Sequence, residues 1–123
     1  MRIALISDIH SNLPAFDSAI ADIEKREITH IYCLGDLVGY NVWSNEIIQK
    51  ITKRKIPTIA GNHDIKVEKL VISPVDLSIT GKDYSYHIIE DDNRQYLRTL
   101  PKNIRLEIQM SDKKLNIVLV HGS

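Results

Sequence analysis

Residues 56–64 read Ile56-Pro57-Thr58-Ile59-Ala60-Gly61-Asn62-His63-Asp64, an apolar run that halts at a glycine and three ligand-type side chains. The run is short, apolar and rich in Ile and Thr, as a buried strand should be. A glycine after a strand lets the backbone turn sharply where side chains would collide. Asn, His and Asp then bring a carbonyl oxygen, an imidazole nitrogen and a carboxylate. That mixed oxygen and nitrogen set suits a borderline divalent metal. Alone the tetrapeptide proves little; its weight comes from two earlier strand ends with similar cargo.

Working back towards the N-terminus, residues 30–34 (His-Ile-Tyr-Cys-Leu) form a second candidate strand that delivers Gly35-Asp36-Leu37-Val38-Gly39-Tyr40. Residues 2–7 form a first, ending in Asp8-Ile9-His10-Ser11-Asn12. Asp8 and His10 are two apart, so in an extended segment they point to the same side and can converge. Between the strands lie two segments of helical spacing. Residues 13–26 carry Phe16, Ala19, Ile20 and Ile23, with Asn12 as N-cap and Pro14 in the first turn. Residues 44–54 carry Ile47, Ile48 and Ile51, with Ser44 as cap. The order is β-α-β-α-β, which predicts right-handed crossovers and a parallel core. Ligands of such sheets bind outside the carboxyl ends of the strands. His10 to Asp36 and Asp36 to Asn62 are each 26 residues apart, one βα unit. Asp8, His10, Asp36, Asn62 and His63 therefore belong at one sheet edge.

Beyond residue 64, Ser73-Pro74 and Gly81 break the pattern, and residues 83–90 read equally as helix or strand. Residues 92–100 look helical, stopped by Pro101. Residues 104–110 and 115–120 predict an antiparallel hairpin around the turn at 111–114, ending in His121-Gly122-Ser123. His87 has no partner visible in sequence and reads as structural or exposed. Asp64 reads as a helix cap or a support for neighbouring ligands.

The 123 residues suffice for one domain with its own core. Sixteen basic residues balance sixteen acidic ones, so no basic field points to nucleic acid or an anionic membrane. The single Cys33 rules out an internal disulfide and fits a reducing compartment. Inside a strand it reads as an inert buried thiol. The N-terminus runs straight into a strand with no leader pattern, and no apolar run approaches the roughly 20 residues of a membrane span. A cytoplasmic location is the expectation. No Gly-x-Gly-x-x-Gly or P-loop follows any strand, which weakens a nucleotide-binding reading.

Taken together, Ile6-Ser7-Asp8-Ile9-His10-Ser11-Asn12-Leu13-Pro14-Ala15, Leu34-Gly35-Asp36-Leu37-Val38-Gly39-Tyr40, Gly61-Asn62-His63-Asp64 and His121-Gly122-Ser123 resemble, in order, the calcineurin-like metallophosphoesterase family, particularly its small bacterial and archaeal phosphodiesterase branch. The resemblance implies an α/β fold, a β-sandwich flanked by helices. It implies two adjacent divalent ions drawn from Mn, Fe, Ni, Co or Zn. Carried over, Asp8 and His10 bind one ion, Asn62 and His121 bind the other, and Asp36 bridges both. His63 faces the substrate, a phosphoester, and assists departure of the leaving oxygen. The family pattern continues to a Gly-His-x-His motif, which residues 1–123 do not contain. Residues 1–123 are then expected to be the N-terminal portion of one metallophosphoesterase domain, an incomplete sandwich, either as a fragment or completed by a partner chain, so a homo-oligomer stays open. The competing reading is a non-catalytic scaffold of the same fold that binds a protein partner.

Overall fold

A computed structural model describes residues 1–69 and 82–122, apart from the side chains of Lys69, Lys82 and Asp83. Ser73-Pro74, Gly81 and Ser123, singled out above, lie outside the described residues.

Strand β1 (Ile3–Ile6) pairs in parallel with β2 (His30–Cys33), with Ile3 opposite His30 and Ile6 opposite Cys33. Helix α1 (Leu13–Lys25) connects them. Asn12 caps α1 by accepting from the Ala15 N–H, and Pro14 sits in its first turn. Phe16, Ile20 and Ile23 are its buried side chains, whereas Ala19 faces outward. Helix α2 (Ser44–Lys53) buries Ile47, Ile48 and Ile51. Its cap position is Trp43, not Ser44. Ser44 is fully buried, and its hydroxyl bonds elsewhere, to the Ser85 carbonyl.

The third segment, residues 56–60, is a strand only in outline. It meets β2 through one parallel bridge, Cys33 to Thr58, made by Cys33 N–H to the Pro57 carbonyl and Ile59 N–H to the Cys33 carbonyl. Pro57 has no N–H to extend the ladder, and the next donor facing β2, Gly61 N–H, goes to Asp64 Oδ2 instead.

Asn62 then starts helix α3 (Asn62–Lys69), so the Asn-His-Asp triplet is a first helical turn. Residues 83–90 resolve as a helix: α4 spans Lys82–His87, and α5 (Asp91–Arg98) follows. The buried Arg94 of α5 clamps α4 by donating to the carbonyls of Tyr86 and Ile89. The hairpin β3 (Asn103–Gln109) and β4 (Lys114–Val120) forms a second sheet, with Asn103 opposite Val120.

The core lies between the β1–β2 pair and the helices: Phe16, Ile20, Cys33, Leu37, Val38, Ile47, Ile48, Ile51, Val67, Tyr86 and Leu97 pack in one cluster. The opposite side is bare. Leu5 of β1 and Val118 and Val120 of β4 are about half exposed. No helix among the described residues is long and apolar enough to cross a membrane.

Candidate metal centre

The pairing of β1 with β2 does not stop at the strand ends. Asp8 N–H donates to the Gly35 carbonyl, His10 N–H to that of Asp36 and Ser11 N–H to that of Leu37, each at 2.8–2.9 Å. The two loops leave the sheet zipped together, and their side chains must meet.

Extended backbone does not achieve the meeting of Asp8 and His10. Both residues are left-handed (φ 55° and 47°), as are Ser11 (56°), Asp36 (56°) and Tyr40 (69°). Each such residue carries strain of about 1 kcal/mol when it has a Cβ, and strain of this kind gathers where geometry is imposed for function. The expected alternation along a strand is therefore replaced by a pair of interlocked turns. Two glycines make the turns fit. A Cβ on Gly35 (φ 95°) would sit 2.4 Å from Gly61 N, and one on Gly61 would sit 2.2 Å from Asp36 Oδ1. Gly61 is needed for space rather than for a left-handed φ.

Asp36 is the centre of the cluster and is almost fully buried. Its Oδ1 accepts from the His63 backbone N–H at 2.9 Å. Its Oδ2 lies 3.7 Å from His10 Nε2 and 3.4 Å from His121 Nε2. His10 Nε2 is also 3.5 Å from Asp8 Oδ1, and His121 Nε2 is 3.0 Å from Asn62 Oδ1. Asp8, His10, Asp36, Asn62 and His121, all singled out from sequence, are thus brought together. The Ser7 hydroxyl, donating to Asp8 Oδ2 at 2.6 Å, holds the Asp8 carboxyl below its ordinary value. Two groups offer ligand atoms close enough to surround an ion: Asp8, Asp36 and His121, and His10, Asp36 and His63.

The second nitrogen of each ring shows what the first can do. His10 Nδ1 lies 3.0 Å from the Val38 carbonyl, and His121 Nδ1 lies 2.7 Å from the Leu34 carbonyl. A carbonyl oxygen only accepts, so both Nδ1 atoms carry a proton, and in its neutral form each ring turns a lone pair at Nε2 inward. At His121 that lone pair confronts two more acceptors, Asn62 Oδ1 and Asp36 Oδ2. With the ring neutral, three acceptors converge there, an arrangement that calls for a cation or a second ring proton among them. The donor set fits a divalent metal on this ground.

Asp64 plays a part that sequence reading left open. Its carboxylate is 1% exposed and accepts from the N–H groups of Asp36, Leu37 and Gly61 at 2.8–2.9 Å. It ties the second motif to the third and fixes the strained backbone of Asp36. Burial pushes its carboxyl up to about 6, helped by the neighbouring Asp36 charge and opposed by the three donors. Burial likewise pushes the Cys33 thiol up to about 12, so Cys33 is the inert thiol expected.

With this geometry in hand, comparison with known sequences is decisive. The profile of the calcineurin-like phosphoesterase superfamily domain matches residues 1–123. The chain belongs to the calcineurin-like phosphoesterase superfamily. Within it, the chain is 33% identical over 127 positions to the uncharacterized protein MJ0912 of Methanocaldococcus jannaschii, covering 98% of this chain and 49% of that protein. A metallophosphoesterase from Sphaerobacter thermophilus superposes with a TM-score of 0.71 at 28% identity, over 85% of this chain and 43% of that one. A structure described as a candidate diadenosine tetraphosphatase matches at 0.54 and 23% identity, over 85% of this chain and 50% of its own, and shares the fold. The chain spans about half the length of the relatives it matches.

Apart from the role of Asp64, which it left open, sequence reading missed two features of this site. One is Tyr40, half exposed, whose ring lies edge-on to His10 at 4.8 Å and tilted to His63 at 5.2 Å. The other is Tyr86, bonded to His63. Tyr40 sits inside a quoted motif and could have been flagged. Tyr86 lies in the segment with no clear period, and nothing in sequence pairs it with His63.

Proposed function

We propose that this chain forms the metal- and phosphate-facing part of a cytoplasmic hydrolase that cleaves phosphomonoesters or phosphodiesters with two divalent ions. The observation that carries this reading is the meeting of His121 Nε2, Asn62 Oδ1 and Asp36 Oδ2, next to the inward-facing Nε2 of His10. Asp8 and His10 would hold one ion, Asn62 and His121 the other, with Asp36 shared between them. Such ions, when bound, supply the positive charge that polarises a phosphoryl group and acidifies water. The chain's own residues do the rest. Asp64 keeps Asp36 in place, and the carbonyls of Val38 and Leu34 keep the two ligand rings in register. His63, beside His10 and Tyr40, faces the substrate and gives a proton to the departing oxygen. The free buried Cys33 supports a reducing compartment.

The test is metal analysis and turnover of a chromogenic phosphodiester in added manganese, using the full-length protein with Asp36→Asn and His63→Ala. Metal lost in Asp36→Asn and kept in His63→Ala, with turnover lost in both, supports the assignment. A protein that takes up no metal and turns over no ester is the scaffold alternative.

A further inference from the structure

We propose that Tyr86 is a positioning residue that donates its hydroxyl proton to His63 Nδ1, and so keeps the ring proton of His63 on Nε2. The inference rests on the phosphoesterase reading of the site and adds the device that separates its acid from its ligands. Three histidines crowd the centre, and by distance alone His63 could bind metal as His10 does. What differs is the group behind each ring. His10 and His121 are backed by carbonyl oxygens, which force the proton onto Nδ1 and bare Nε2. His63 is backed by the Tyr86 hydroxyl, which can donate. A phenol is a stronger donor to an imidazole nitrogen than a neutral imidazole N–H is to a phenol oxygen. Lys66, with Nζ 5.8 Å from the Tyr86 ring centroid, strengthens the phenol as donor further. The ring so fixed presents Nε2–H, which cannot bind an ion; as that proton passes to a departing oxygen, the Tyr86 hydroxyl proton moves onto Nδ1, so the ring stays neutral and the negative charge is left on the Tyr86 oxygen, whose ring lies near Lys66.

The fold holds Tyr86 for this task from both sides. Its neighbour Ser85 is buried in a knot of three hydroxyls: Ser11 to Ser44 at 2.7 Å, Ser44 to Ser85 at 3.0 Å and Ser11 to Ser85 at 3.2 Å. Ser85 Oγ also accepts from the Gly39 N–H at 3.1 Å. The Tyr86 carbonyl accepts from Arg94, and the Tyr86 side chain is fully buried. Its ring lies near-parallel to that of His63, 14° apart in plane. Gly39 leaves the room: a Cβ there would come within 2.9 Å of His63 Nδ1 and 3.1 Å of the Tyr86 hydroxyl.

Nitrogen-15 spectra of histidine-labelled full-length protein, metal-free and with a diamagnetic divalent ion, test this without any variant. The expected pattern is Nδ1–H for His10 and His121 and Nε2–H for His63; Nδ1–H on His63 overturns the proposal. Tyr86→Phe gives the second readout. It should release His63 into a mixture of tautomers. It should lower kcat about tenfold for alkyl phosphoesters, whose leaving oxygen needs a proton, with KM little changed. For p-nitrophenyl esters the loss should stay below about twofold, because that leaving group departs without a proton. Equal losses for both ester classes would show a merely structural role and overturn it. If the wild-type protein cleaves neither ester, the phosphoesterase reading fails, and the spectra still decide the role of Tyr86.

Discussion

The two edges of the parallel sheet use the same unusual backbone conformation for opposite ends. At the edge where helices hand the chain back to the sheet, Glu27 (φ 57°) and Lys55 (φ 54°) are left-handed. Each follows the cap of its helix. The next residue's N–H reaches back in the same way, Ile28 to the Ile23 carbonyl and Ile56 to that of Ile51. These are Schellman turns, which satisfy helix-end carbonyls in solvent. At the other edge Asp8, His10, Ser11, Asp36 and Tyr40 are left-handed too, yet Ser11 and Asp36 are buried and the loops are stitched to one another. A left-handed residue at the first edge ends a helix. At the second it turns the loops so that the ligand-type side chains of Asp8, His10 and Asp36 converge, and hydrogen bonds such as those of Asp64 hold the backbone there. The strain is general; what differs is whether anything is fastened to it.

The comparison breaks most visibly at Gly35. Gly35→Ala adds a Cβ 2.4–2.9 Å from three backbone atoms of residues 59 and 61 and forbids φ 95°. The expected loss exceeds about 4 kcal/mol, read as disappearance of the cooperative thermal transition. A near-normal transition would show that the two loops are not interlocked as described. Next comes Asp64→Ala, which strands three buried N–H donors. It should lower stability by about 3 kcal/mol in denaturant unfolding and weaken metal uptake as Asp36 loosens. A loss under about 1 kcal/mol would mean that the Asp36 turn holds itself. The smallest effect sharpens the contrast by its sign. Lys55→Gly, at the solvent edge, should raise stability by about 0.5 kcal/mol by relieving a left-handed side chain, whereas Asp36→Gly should lower it.

Much of this was legible in the sequence, because strand ends in an α/β core have only one edge to share. The parallel start, both long helices, the hairpin and the meeting of Asp8, His10, Asp36 and Asn62 follow from apolar periodicity and the 26-residue repeat of motifs; His121 joined them through the family resemblance. Finer matters were not legible for physical reasons. Pro57 reduced the third strand to a bridge by removing a donor. The Asp8–His10 approach relies on positive φ at non-glycine residues, which no propensity announces. Asp64 acts through backbone N–H groups, and backbone has no sequence signature. Ser44 was drawn from capping by the Ser85 carbonyl, 41 residues away, and Tyr86 acts across 23.

The central proposal is that Asp36 would serve two ions while His63 stays outside their coordination shell. An anomalous difference map from crystals of the manganese-loaded full-length protein tests it directly. The account predicts two peaks about 3.5–4 Å apart, both within bonding distance of Asp36, one beside Asp8 and His10 and one beside Asn62 and His121. A single peak, or a peak ligated by His63, would contradict it.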